Sequence, residues 1–202
     1  MMNRRLHHRR LRPGRAGMTM VEMIVALALF AVVGTVIIGF LTGSRRTYAA
    51  TSDRAICQQS LRATFSLLTR EIRSAGCDIG DAGFEGIAVA DDLRLQCRMD
   101  LDGDGSTLGL APDEDVLYWY DPALGELLRQ TAAGTQTILR DLQLVQFRYF
   151  DKSGAPLAGT PLSSADRARV RFVDVAIDGQ LRNGETVSYE NRIIVQNCPD
   201  FP

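Results

Sequence analysis

From Met23 to Leu41 the chain reads MIVALALFAVVGTVIIGFL, 19 residues without a charged side chain. As an α-helix this run spans about 28 Å at roughly 1.5 Å per residue, which matches a hydrocarbon core of about 30 Å. Ahead of it, residues 1–17 hold six arginines (Arg4, Arg5, Arg9, Arg10, Arg12 and Arg15) and no acid. Arginine beside an apolar span stays on the cytoplasmic side, so everything after Leu41 is expected across the membrane. Arg45 and Arg46 oppose that orientation, but six charges outweigh two. A cleaved secretory signal is the alternative; its apolar region runs only about 7–15 residues, and the nearest small-residue cut site, Tyr48-Ala49-Ala50, lies beyond those two arginines. A plain signal anchor holding an external domain is a second alternative.

The rest of the composition narrows the function classes. The 202 residues carry 23 basic and 24 acidic groups, with 46% hydrophobic and 23% charged residues. These are globular values and exclude collagen-like and wholly disordered chains. After Gly17 the balance becomes acidic, at 17 basic against 24 acidic groups, and the arginines are dispersed, which disfavours nucleic-acid binding. Both histidines, His7 and His8, lie in the basic leader. Without that leader there is no imidazole for Ser-His-Asp or Cys-His catalysis or for most zinc sites. Histidine-based catalysis and most zinc sites are therefore disfavoured.

Between leader and apolar run stands Gly17-Met18-Thr19-Met20-Val21-Glu22, and Glu22 is the lone acid from Met18 to Leu41. A carboxylate in lipid costs roughly 2.5–3.5 kcal/mol at a helix centre, less at the interface, and marks a functional site with a charged partner. A cut after Gly17 creates that partner, the α-amino group of Met18, on the same chain or on a neighbouring copy at equal depth.

This stretch resembles the class III signal of type IV prepilins and type II secretion pseudopilins: glycine before the cut, an apolar first mature residue, glutamate fifth. The resemblance implies that a membrane prepilin peptidase cleaves after Gly17 and methylates Met18, and that Glu22 serves assembly. Phenylalanine is usual where Met18 stands, and the proline that many major pilins carry in this helix is absent between Pro13 and Pro112.

Beyond the span, Cys57, Leu61, Phe65, Leu68, Ile72 and Ala75 recur at spacings of 4, 4, 3, 4 and 3, the stripe of an amphipathic helix that Gly76 is placed to end. Arg62, Arg70, Glu71 and Arg73 are expected on its solvated side. Gly39 and Gly43 have GxxxG spacing, here read as ordinary glycines. Then the period changes. Residues 93–99, 116–120, 144–150, 170–177 and 193–195 read as strands, separated by turn signals at Asp121-Pro122, Lys152-Ser153-Gly154 and Arg182-Asn183-Gly184.

The expected fold class is α+β: a long N-terminal helix, half transmembrane and half amphipathic, packed on a head with an antiparallel sheet. The expected segments are a cleaved leader (1–17), an assembly helix (18–41), a stalk helix (42–76) and a periplasmic head (77–202). Arg73-Ser74-Ala75-Gly76, the Val116-Leu117-Tyr118-Trp119-Tyr120-Asp121 strand, Leu127-Leu128-Arg129, Phe147-Arg148-Tyr149-Phe150-Asp151 and Arg169-Val170-Arg171 are similar to PilW-type minor pilins and J-type minor pseudopilins. That resemblance implies a minor pilin that primes or caps a pilus, or a minor pseudopilin of a secretion system, with no enzymatic activity and no required cofactor. Its partners would be prepilin peptidase, other major and minor pilins and an inner-membrane assembly platform. It would sit as a single-pass inner-membrane protein before assembly and in the filament after it. The competing classes are a membrane-anchored periplasmic enzyme, for which cysteines or paired carboxylates are the only candidate groups, and a membrane-anchored adhesin or binding module.

Cys57, Cys77, Cys97 and Cys198 fall on the side where disulfides persist, and three pairings are open. Cys77–Cys97 and Cys57–Cys198 are expected, with buried thiols as the alternative. Asp100-Leu101-Asp102-Gly103-Asp104-Gly105-Ser106 matches the first half of an EF-hand loop, making Asp100, Asp102, Asp104 and Ser106 candidate calcium ligands. The twelfth position is Ala111 rather than glutamate, so Asp113, Glu114 or Asp115 would have to substitute. An ion-free Asp/Gly turn is the alternative.

Overall fold

The computed structural model describes residues 17–108, 113–181 and 184–196. The chain divides into two compact units, Met1–Tyr48 and Ala49–Pro202. One helix, α1, runs from Met20 to Ser74. Its first part, from Met23 through Leu41, is uncharged, and all of it but the half-buried Gly34 is exposed. Among the described residues it is the one helix long and apolar enough to cross a membrane. Thr35 in this stretch, and Thr42 and Thr47 beyond it, return their hydroxyls to the carbonyls of Ala31, Ile38 and Gly43 at 2.8, 2.8 and 3.2 Å. The Thr35 hydroxyl is thereby satisfied within the helix, which an apolar solvent demands.

In the second unit, the helix buries Leu61, Phe65, Leu68 and Ile72, and Ala75, just past its end, is buried as well. The 3.6-residue stripe read from the sequence is the face that packs, and burial of each large side chain contributes about 1.5–3 kcal/mol. The helix stops where expected. Gly76 takes φ 79°, and its amide donates to the Arg98 carbonyl at 2.9 Å. Gly86 lies directly against it: a Cβ there would sit 2.5 Å from the Gly76 nitrogen.

The sequence led to one sheet; there are two. The first is a meander in the order β1-β2-β3-β4-β5, comprising Ile87–Ala90, Arg94–Arg98, Asp115–Asp121, Glu126–Thr131 and Gly134–Leu139. The second has the order β6-β7-β8, from Leu142–Phe150, Phe172–Gln180 and Thr186–Ile194. All pairings between these strands are antiparallel. A four-residue helix, α2 (Ser164–Arg167), lies between β6 and β7. The break between the sheets falls at Asp141, whose φ of 58° turns the chain out of extended geometry.

Both sheets nevertheless share one core. Leu95, Val116, Tyr118 and Leu127 from the first sheet join Val145, Phe147, Val175 and Ile177 from the second and the α1 stripe in a single buried cluster. The Tyr149 hydroxyl bridges the sheets, donating toward the Asp91 and Arg94 carbonyls at 2.9 and 3.0 Å.

Glu71 corrects the expected helix surface. Placed by its position on the solvated side, it is only 5% exposed, because the sheet supplies its partners. Tyr118 and Arg129 face each other across β3 and β4. Tyr118 donates its hydroxyl to Glu71 Oε2, and Arg129 donates from Nη2 to Glu71 Oε1 at 2.6 Å and from Nε to Oε2 at 3.3 Å. Arg129 also reaches Asp113 at 2.9 Å. Burial, then the charge of Glu71, drives the Tyr118 phenol far above its ordinary range, so it remains a donor. Arg62, Arg70 and Arg73 are exposed as expected.

Removing one partner of a buried pair leaves the other charge stranded. Arg129→Met is therefore expected to lower the unfolding free energy by about 3–5 kcal/mol in urea titrations of the full chain in detergent. The double variant Glu71→Leu/Arg129→Met should cost clearly less than the two single losses together; additive losses would show that the pair is not coupled.

Candidate functional site

The head of α1 is organised by a reciprocal cap. A helix leaves its first amides without intrahelical acceptors, and Thr19, the residue before Met20, supplies one. The Glu22 amide donates to Thr19 Oγ1 at 3.3 Å. In return, Glu22 Oε2 accepts from the Thr19 amide at 2.8 Å and from the Thr19 hydroxyl at 2.9 Å. The Met23 amide reaches the Thr19 carbonyl at 3.1 Å and begins the helical ladder. This is a capping box, Thr-x-x-Glu before an apolar run. The carboxylate also lies in the first turn, where the helix dipole favours negative charge.

Gly17, Met18 and Thr19 precede the helix and are exposed. The Gly17–Met18 bond therefore lies in non-helical chain, as a peptidase needs for its substrate backbone. Nothing lies within 4 Å of where a Gly17 side chain would begin, so this chain itself sets no steric demand for glycine there. In the uncut chain the Met18 nitrogen is an amide and carries no charge. Glu22 is thus occupied by its own helix terminus, and both of its hydrogen bonds from Thr19 fall on Oε2. Thr19 was missed as a site residue, although the Thr-x-x-Glu spacing was in plain view.

No disulfide joins the cysteines among the described residues. Cys57, Cys77 and Cys97 are free thiols, so no Cys77–Cys97 bridge is present, and Cys198 lies outside the described residues. Cys97 is fully buried in β2. Burial first, then the charges of Glu71 and Asp115, raises its thiol pKa far above the ordinary value, which makes it a poor nucleophile. Cys57 is pushed up more modestly by burial and by Asp141.

The acidic loop is only partly as anticipated. Asp100 and Asp102 come together with Glu114, whereas Asp104 and Ser106 are not part of that group. Ser106 instead donates its amide to Asp104 Oδ1 at 2.7 Å. Ala111, the twelfth position of the loop, lies outside the described residues.

Residues 12–38 match the family described as Prokaryotic N-terminal methylation motif. The match runs across the Gly17–Met18 bond and most of the apolar run, and it defines a prepilin-like N-terminal signal on a single-pass membrane anchor. No curated protein matches the chain.

Loss of an N-cap side chain costs about 1 kcal/mol. Thr19→Ala is expected to speed hydrogen exchange at the Glu22 amide about five-fold in detergent, with little change beyond the second turn. An unchanged Glu22 amide would mean that the box does not hold the helix end.

Proposed function

We propose that this chain is the precursor of a minor subunit of a type IV pilus. Prepilin peptidase cuts it between Gly17 and Met18 and methylates the new terminus. The observation that carries this reading is the methylation motif over residues 12–38 combined with a single carboxylate at the fifth position after the cut, on an otherwise uncharged and fully exposed helix face.

The chemistry follows from the membrane. Six arginines hold residues 1–17 on the cytoplasmic face, which places the cut there and the Ala49–Pro202 unit in the periplasm. Cutting converts the Met18 amide into an ammonium, and methylation leaves its charge in place. Glu22 then has a cation of matching depth, on its own chain or on the neighbouring helix in a filament. An apolar surface exposed around the whole helix gives lipid before assembly, and other pilin helices after it, the same face to cover. Extraction from the bilayer becomes feasible only when both the apolar surface and the carboxylate find partners, and other pilins supply both.

The function is structural: the chain after Gly17 has no histidine, and the subunit works by pairing and packing. An inner-membrane assembly platform and the other major and minor pilins are its partners. The pseudopilus of a type II secretion system uses the same chemistry of cut, ammonium and carboxylate.

Intact-mass and N-terminal sequencing of the chain recovered from cells with prepilin peptidase test this reading. The expected product begins at Met18 and carries one methyl group, and cells lacking the peptidase keep the leader. A chain that retains its leader in the presence of the peptidase, or one cut after Ala50, would overturn it.

A further inference from the structure

Asp100 and Glu114 are both fully buried, an unusual place for two carboxylates. Asp100 is met by amides: Oδ1 accepts from Gly103 at 2.7 Å, and Oδ2 accepts from Gly80 at 2.8 Å and Gly105 at 3.2 Å. Glu114 is met on one oxygen only. Its Oε1 accepts from the Leu101 and Asp102 amides at 2.7 and 3.2 Å, while its Oε2 is buried without any hydrogen-bond partner. A buried carboxylate oxygen with no donor is costly unless a cation meets it. The arginines close by in sequence or on the sheet are already engaged, Arg98 with Asp115 at 3.4 Å and Arg129 with Glu71 and Asp113.

Asp102, which is exposed, completes the set. One carboxylate oxygen each from Asp100, Asp102 and Glu114 lies within 4.8 Å of the other two. Opposed ligands of an ion held at about 2.4 Å are about that far apart. We propose that Asp100, Asp102 and Glu114 bind a hard divalent cation, calcium, with Glu114 acting as the carboxylate that closes the loop. The donors are all oxygen, which excludes a preference for zinc or copper. An irregular loop offering carboxylates suits calcium, which accepts six to eight oxygens at flexible angles, better than magnesium, which demands a near-ideal octahedron.

The motif is a variant of the pattern read from the sequence. Asp100 and Asp102 occupy the first and third positions, but the closing acid is the residue just before β3 rather than position twelve. The ion also ties in the segment after α1. Asp78 forms an isolated bridge with Asp100, and its carboxylate holds the Ala82 and Gly83 amides at 2.8 and 2.7 Å. Gly80 must be glycine for this closure, since a Cβ there would sit 2.5 Å from Asp100 Oδ2. Calcium would therefore fasten the helix exit to the β2–β3 loop.

The test is calorimetric titration of the full chain in detergent, stripped with a chelator, using calcium chloride alone, with thermal unfolding followed in parallel. One ion per chain is expected, with a dissociation constant of about 10⁻⁵–10⁻³ M and a rise in melting temperature of about 3–8 °C at roughly 5 mM calcium. Asp102→Asn, at an exposed position, should fold normally and bind at least about ten-fold more weakly; Glu114→Gln should abolish binding. No heat and no thermal shift at that concentration would overturn the proposal, as would wild-type affinity in Asp102→Asn. An equal response to magnesium would overturn the calcium assignment. The N-terminal processing reading stands or falls separately, because its readout is the mass of the mature terminus.

Discussion

A carboxylate at the head of a lipid-facing helix is the constraint from which the rest follows. Glu22 stands before 19 uncharged residues, and nothing in a bilayer core solvates it. In the precursor it is held by Thr19 in a reciprocal cap, which satisfies amides of the helix terminus but supplies no positive charge. Cleavage after Gly17 would change the balance by placing an ammonium four residues from the carboxylate. The cap and the ammonium draw on the same group. Because both Thr19 bonds use Oε2, the second oxygen can turn to a cation without the helix end first coming undone.

The same helix solves a second carboxylate differently. Glu71 lies in the second unit and is surrounded by donors from its own chain, Tyr118 and Arg129, which the β3–β4 register sets side by side. A pair of this kind adds little net stability over a well-packed apolar substitute, but it penalises any misplacement of the helix on the sheet. One acid is completed within the fold and the other requires something outside it. That contrast sets Glu71, a residue of the architecture, apart from Glu22, the residue proposed here to serve assembly.

Much of this was legible in residue spacing. The apolar run, the stripe from Leu61 to Ala75 and the stop at Gly76 follow from helical period and glycine chemistry, and four strands follow from β-branched and aromatic runs; the run at 193–195 meets Thr186–Ile194 only at that strand's last two residues. The missed strands have physical reasons. Ile87–Ala90 is four residues long, too short for a period to register. Gly134–Leu139 is mostly polar because it is the outer strand of its sheet and largely exposed. Glu126–Thr131 has a buried arginine at its centre, whose partner lies 58 residues earlier. Glu71 was misplaced for the same reason, since a helical wheel has no knowledge of a distant cation. The acidic loop showed two of the three clustered carboxylates, Asp100 and Asp102, but Glu114 joins them only through the strand that follows. The disulfide expectation failed for Cys97 because its thiol points into an apolar core shared by both sheets.

The central claim is that Glu22 is kept for pairing between subunits. Glu22→Gln tests it most directly, since glutamine preserves the hydrogen bonding of the cap and deletes only the charge. The measurement is the amount of the variant in sheared, purified filaments relative to the amount processed in the membrane. Normal cleavage at Gly17 with a loss of incorporation of at least about ten-fold, the equivalent of roughly 1.4 kcal/mol, is the predicted result. Incorporation equal to that of the natural chain would contradict the account.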